Sequence, residues 1–149
     1  VKILPQRWGN TPWNFIENNL KEWDFLKPLM LQGNQLPKKP EIWAQVTVPN
    51  EFQAIGKYNI GVTAGIETTV CAAPWVQGVN RMDLIITSAQ HGKRVFENSV
   101  YEMQDDRTKQ PKGKLELNKP VEVLFEGADT NIYKKTNEFS DRVVATVNA

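Results

Sequence analysis

The 149-residue chain contains a single cysteine, Cys71, and a single histidine, His91. One cysteine cannot close an internal disulfide, and its lone presence indicates a reducing, cytoplasmic compartment. A nucleophilic cysteine would need an activating base, and nothing in the sequence ties His91 to Cys71. We therefore interpret Cys71 as an inert thiol. No His/Cys cluster has the spacing of a metal site, so we expect no metal and no cofactor.

Excess charge and long apolar runs are also missing. The formal net charge is +1, which gives no electrostatic basis for nucleic-acid binding or for an anionic membrane surface. No apolar run approaches the ~20 residues of a membrane span, and no signal peptide is visible, so no transmembrane segment is expected. With 40% hydrophobic and 23% charged residues, the composition is typical of one globular domain with a core.

The glycine motifs that bind phosphates are missing as well. The sequence has no GxGxxG and no GxxxxGK[ST], which counts against a dinucleotide dehydrogenase and a P-loop NTPase. It also has no GxSxG, the nucleophile turn of α/β-hydrolases.

Residues 58–88 are predicted to form a strand–helix–strand unit. The short apolar run 59–64, bounded by turn residues, is typical of a buried strand, and so is the run 84–87. Between them, Pro74 suits the first turn of a helix, and Trp75, Val79 and Met82 fall on one helical face. Ligands of open parallel sheets bind beyond the carboxyl ends of the strands. Any chemistry is therefore expected near residues 65–68 and near Ser88.

The remaining elements are assigned from the same signals. Thr11 and Pro12 are a favourable helix start, and this helix is expected to end before Pro28. Ser88 is expected to cap a helix over about 89–99, and 104–114 is expected to be an exposed, mobile loop. We predict an α/β fold, with three layers around a mostly parallel sheet. Its strands are expected near residues 42–48, 59–64, 84–87 and 121–125.

Two segments resemble a known enzyme family. DLIITSAQHGK at 83–93 resembles the D-x-I-I-x-x-S-x-x-x-K segment of retaining glycosyltransferases of the GT-B architecture, family four. VEVLFEGADTNIYK at 121–134 resembles the family's I-x-V-I-P-N-G-V-D-x-x-x-F-x-P, which comes near the end of its N-terminal Rossmann-like half. The order and separation of the two motifs match as well, and the resemblance covers roughly residues 57–134.

The sequence departs from the family pattern at several points. The family's P-N-G is F-E-G at 125–127, Lys135 replaces a proline, and A-G at 64–65 stands where a histidine is common. The C-terminal half, with its basic pair and E-x-x-x-x-x-x-x-E motif, is not present. The resemblance therefore implies an acceptor-side half at 1–136, followed by a tail or the start of a linker at 137–149. Because the first residue is Val1 and not Met, we also expect a fragment or a processed product.

The resemblance implies transfer of a hexose, with retention, from a nucleotide sugar to an acceptor hydroxyl. It implies no structural metal. It also implies no transfer by the isolated chain, because most groups that stabilise the leaving diphosphate belong to the missing half. The alternative is a non-catalytic α/β module with a binding or structural role.

The candidate site residues follow strand ends. Glu67, the candidate catalytic residue, could hydrogen-bond an acceptor hydroxyl or act as a base, or it could be an exposed loop residue. Gly65 shapes the same loop, and Thr68 is a candidate hydroxyl contact. Ser88 could contact a ligand or only cap the helix, and His91 could face the cleft or only solvent. Gly127 and Asp129 are expected mainly to shape a turn, which in the family lies beside the donor site.

Overall fold

The computed structural model describes residues 1–5, 21–33 and 35–135. They form an α/β domain whose main sheet is parallel. The predicted helix start at Thr11 and Pro12 and the tail 137–149 lie outside the described residues. No helix in the described ranges is both long enough and apolar enough to cross a bilayer.

Six strands, two α-helices and two 3-10 helices make up the described part of the chain. The strands are β1 (Ile42–Val46), β2 (Tyr58–Thr63), β3 (Leu84–Thr87), β4 (Tyr101–Gln104), β5 (Pro111–Leu115) and β6 (Val121–Val123). The α-helices are α1 (Ala73–Val79) and α2 (Gln90–Asn98), and the 3-10 helices are Lys21–Leu29 and Pro49–Glu51.

The four predicted strands pair in sequence order, as β1-β2-β3-β6, and every pair is parallel. The prediction of a parallel sheet is therefore confirmed. Short apolar runs bracketed by turn residues are enough to define these strands, because parallel strands are commonly covered by other elements.

One face of the sheet, here called the inner face, carries the core. In register across it stand Gln45, Gly61, Ile85 and Val121. Both α-helices pack there, and the Phe52 ring lies against Gly61. The buried core side chains are Phe52, Cys71, Val76, Val79, Met82, Ile85, Val95, Phe96 and Val121.

The predicted three layers are described only in part. Both α-helices contribute to the core on the inner face, so the described α-helices form one layer on one side of the sheet. Sequential strand order explains this, because right-handed crossovers between successive neighbours all fall on the same side of a sheet. The opposite face, here called the outer face, carries Ala44, Ile60 and Leu84 in register.

The segment predicted as an exposed, mobile loop at 104–114 is mostly exposed, but it belongs to a β-hairpin, so the prediction of a loop is wrong. Strand β4 pairs antiparallel with β5, and Tyr101 stands opposite Leu115. The turn is stabilised by Asp105, whose carboxylate accepts the N–H groups of Arg107 and Thr108 at 3.0 and 2.8 Å. Tyr101 and Leu115 pack against the core, which anchors the hairpin.

The predicted end of the first helix before Pro28 is also wrong. The described part, Lys21–Leu29, is a 3-10 helix with Pro28 inside it. Trp23 and Phe25 lie on its surface, 42% and 63% exposed, and their rings stack with centroids 6.1 Å apart. Trp23 therefore does not join the core.

Candidate functional site

The candidate site lies at the carboxyl edge of the parallel sheet. Because β2, β3 and β6 are parallel neighbours, the loops at 64–70, 88–89 and 124–130 leave the sheet at the same edge. The hydrogen bond from the N–H of Leu124 to the main-chain oxygen of Thr87, at 2.9 Å, extends the pairing beyond β6. The strand pairing therefore brings the three loops to one edge of the sheet.

Two glycines allow close contact between the loop after β2 and helix α2. Gly65 has a φ of +88°, a conformation that favours glycine, and a Cβ there would lie 3.3 Å from the Cα of Gly92. A Cβ on Gly92 would lie 2.5 Å from the hydroxyl oxygen of Thr87. That hydroxyl is fully buried and has no hydrogen-bond partner in the described part of the chain. The close approach of loop and helix therefore depends on small residues at both positions.

Ser88 and His91 connect the two loops through main-chain oxygens. The Ser88 hydroxyl donates to the oxygen of Ala64 at 3.4 Å, and His91 Nε2 lies 3.1 Å from the oxygen of Thr68. The prediction that Ser88 caps helix α2 is wrong, because Ala89 is the N-cap and no side chain caps the helix. Instead, Ser88 stabilises the loop that carries Glu67.

The side chains of Glu67 and Thr68 differ in whether they already form a hydrogen bond with a described residue. Both are exposed. The Thr68 hydroxyl donates to the main-chain oxygen of Val70 at 2.7 Å, although its lone pairs stay open to a donor from solvent. The Glu67 carboxylate has no hydrogen bond or ion pair with a described residue. A free carboxylate beside a loop fixed by His91 can accept a hydroxyl proton or a hydrogen bond.

Gly127 and Asp129 lie at the same edge without joining this cluster. A Cβ on Gly127 would meet no atom within 4 Å. The Asp129 carboxylate accepts the N–H of Asn131 at 2.9 Å, and its main-chain oxygen accepts the N–H groups of Ile132 and Tyr133. Asp129 therefore shapes a turn, as the sequence indicated, and no hydrogen bond among the described residues links it to Glu67.

Sequence reasoning missed a second polar group at this edge. The Thr47 hydroxyl, just beyond β1, donates to the carboxylate of Glu51. Gln45 stabilises the same connection, because its amide donates to the Glu51 main-chain oxygen at 3.0 Å and accepts the N–H of Gln53 at 2.9 Å. The available signal was a threonine at a strand end with a carboxylate four residues later.

Cys71 is buried, only 2% exposed, and belongs to the core. Burial raises the pKa of its thiol, and the hydrogen bond with Ser99 offsets this only in part. The Ser99 hydroxyl accepts the N–H of Cys71 at 2.9 Å and donates to the oxygen of Val95 at 2.6 Å. Such a thiol is not an activated nucleophile, in agreement with the inert interpretation.

Within residues 1–5, 21–33 and 35–135, no group of three or more His, Cys, Asp or Glu side chains could hold a metal ion. What the described edge offers is two exposed carboxylates without a described partner, those of Glu67 and Glu126, together with several hydroxyls and an imidazole. This set can bind and orient a polyhydroxylated ligand, since hydroxyls and carboxylates exchange hydrogen bonds with sugar hydroxyls.

Comparisons with protein-family models, with curated proteins and with solved structures found no match.

Proposed function

We propose that the chain is the acceptor-side, N-terminal half of a retaining glycosyltransferase of the GT-B architecture. The observation that carries the proposal is the contact between the loop at 64–70 and the start of α2, which places Glu67 at the carboxyl edge of a parallel sheet. Each of the two sequence motifs that resemble the family includes a strand, β3 or β6, and the residues that follow it at this edge. The fold alone does not identify a reaction, and the resemblance of these motifs to the family is what points to sugar transfer.

In the proposed reaction, an acceptor sugar lies over the loop at 65–68. Glu67 accepts a hydrogen bond from the acceptor hydroxyl and takes its proton as the bond from the anomeric carbon to the donor diphosphate breaks and the new glycosidic bond forms. His91 holds the main-chain oxygen of Thr68, and Ser88 holds that of Ala64, so both fix the position of Glu67. The nucleotide-sugar donor is bound chiefly by the second half, whose cationic groups and helix N-termini stabilise the diphosphate leaving group.

The proposal is tested on the protein encoded by the whole reading frame that contains this chain. We expect the frame to encode a second Rossmann-like half with an E-x-x-x-x-x-x-x-E motif, and we expect that protein to transfer sugar. The purified 149-residue chain should show no transfer. A stop codon directly after Ala149 would favour the non-catalytic binding or structural module.

Glu67→Gln in the full enzyme is expected to lower kcat by about 100-fold, the lower end of what general acid–base catalysis contributes. Glu116→Gln is the matched control, because Glu116 is also an exposed carboxylate but follows β5, away from the carboxyl edge. Steady-state kinetics with saturating donor measure both variants. Equal kcat for Glu67→Gln and wild type would remove Glu67 from the proposed mechanism.

A further inference from the structure

An open cavity of about 810 Å³ lies beside β1 and has a mainly apolar lining. Pockets that hold small ligands have volumes of about 300–1,000 Å³ and are lined mostly by apolar side chains, with a few polar groups that orient the ligand. The cavity therefore has the size and the character of a site for a small, largely apolar ligand. Its described apolar lining includes Ile3, Leu4, Leu31, Leu36, Ile42 and Val46.

Main-chain hydrogen bonds hold two parts of the cavity wall in place. The N–H of Ile3 donates to the main-chain oxygen of Leu29 at 2.9 Å, and the N–H of Leu31 donates to that of Ile3 at 2.8 Å. The other part is β1, which is paired along its whole length with β2. A ligand that enters between walls already positioned in this way has less ordering to bring about when it binds.

Strand β1 contributes exposed apolar surface to the cavity. Ile42 is 64% exposed and Val46 59% exposed, and Ala44 between them is exposed as well. Because these residues alternate along the strand, they share the outer face. An alkyl chain lying along them would remove apolar surface of both ligand and protein from water, which favours binding.

Two lysines, Lys2 and Lys38, are the charged side chains among the described lining residues, and none of those residues is acidic. Both lysines are exposed. The Lys2 ammonium donates to the main-chain oxygen of Pro28 at 3.2 Å, which leaves two of its three donors for a ligand. An ionised carboxylate accepts hydrogen bonds and donates none, so it complements these ammonium groups in both charge and hydrogen bonding.

We propose that the cavity beside β1 binds a fatty acid anion, with the alkyl chain along the outer face of β1 and the carboxylate at Lys2 and Lys38. None of the described lining residues belongs to 64–70 or 88–92, so this site is separate from the candidate sugar site. The inference therefore does not depend on the proposed glycosyltransferase function.

Titration of the wild-type 149-residue chain with octanoate, decanoate and dodecanoate, each below its micelle-forming concentration, tests the proposal by calorimetry and backbone amide NMR. The amides of 36–46 should shift. Each added methylene should tighten binding about fourfold, as expected for the burial of one CH₂ group. Dodecyltrimethylammonium, which has the same chain length and the opposite charge, should bind at least about fivefold more weakly than dodecanoate.

Three results with the wild-type chain would each overturn the proposal, and none of them depends on a variant that must fold. They are an affinity that does not change with chain length, the absence of shifts at 36–46, and equal affinities for dodecanoate and dodecyltrimethylammonium.

Lys38→Gln tests the position of the head group. It should weaken dodecanoate binding by about fivefold, the upper range for one exposed ion pair, and it should not weaken the binding of dodecyltrimethylammonium. Lys112→Gln is the matched control, because Lys112 is also exposed but lies on β5 and does not line the cavity. An unchanged affinity of Lys38→Gln for dodecanoate, or equal losses in the two variants, would overturn the proposal.

Discussion

At residue 78, helix α1 lies so close to the 3-10 helix Pro49–Glu51 that no side chain fits. A Cβ on Gly78 would lie 1.8 Å from the main-chain oxygen of Pro49. Gly78→Ala should therefore destabilise the fold by about 3 kcal/mol, the upper range for overpacking. Gly127→Ala is the control, since its Cβ would meet no atom within 4 Å. Urea unfolding of both variants checks this, and equal midpoints would contradict the close backbone contact.

Asp83 gives the fold a pH-dependent contribution. Its carboxylate accepts the main-chain N–H of Asn59 at 2.8 Å and the Asn59 amide at 3.1 Å. These hydrogen bonds, with a smaller effect of Lys119, lower the pKa of Asp83 below its ordinary value of 3.8. A lowered folded-state pKa stabilises the protein above the unfolded value, and the contribution is lost as pH falls through the folded value.

Asp83→Asn should therefore be less stable than wild type near neutral pH, and the difference should shrink below about pH 4. Asp106→Asn is the matched control, because the Asp106 carboxylate accepts no hydrogen bond from a described residue. The test is to measure the free energy of unfolding of wild type and both variants from neutral pH to below about pH 4. A difference between wild type and Asp83→Asn that stays constant with pH would contradict the account.

At the scale of elements, Arg81 connects the end of α1 to the β1–β2 connection. Its Nε donates to the main-chain oxygen of Phe52 at 2.7 Å, and one Nη donates to that of Asn50 at 2.8 Å. Arg81→Lys cannot make both bonds in this geometry, and we expect a loss of about 1 kcal/mol. Arg94→Lys on the exposed surface of α2 is the control. Indistinguishable denaturation curves for the two variants would argue against the connection.

The sequence predicted the parallel strands and the two α-helices, because apolar runs and proline positions report burial and helix starts directly. It missed the β4–β5 hairpin, since Lys112, Gly113 and Lys114 conceal an exposed strand among residues of low strand preference. The helix predicted to end before Pro28 is, in its described part, a 3-10 helix that continues to Leu29, because the proline rule marks a usual helix end and does not specify the type of helix. These errors share a cause, namely that tertiary contacts override local preference.

The candidate site was predictable in position but not in detail. Parallel strand order alone places the residues after β2 and β3 at one edge. By contrast, the contact of Gly65 with Gly92, and the bond between Ser88 and Ala64, depend on how two loops approach across neighbouring strands. No local pattern encodes that distance. The Thr47–Glu51 pair was missed for the same reason, because a turn brings the two side chains together.

At the scale of the molecule, two separate surfaces could receive a ligand. The Glu67 carboxylate lies in the loop that follows β2 at the carboxyl edge, whereas an open, mainly apolar cavity of about 810 Å³ beside β1 is lined by Ile3, Leu36 and Val46, among others. The proposed function predicts that a sugar binds at the carboxyl edge and not in this cavity.

The most direct test of the central claim maps sugar binding on the 149-residue chain by backbone amide NMR. Simple glycosides with free hydroxyls, titrated into the millimolar range typical of weak ligands, should shift amides at 65–68 and 88–92. Glu67→Gln should reduce those shifts, while Glu116→Gln should not. Shifts confined to the cavity beside β1, or no shifts at the carboxyl edge at all, would contradict an acceptor-side site.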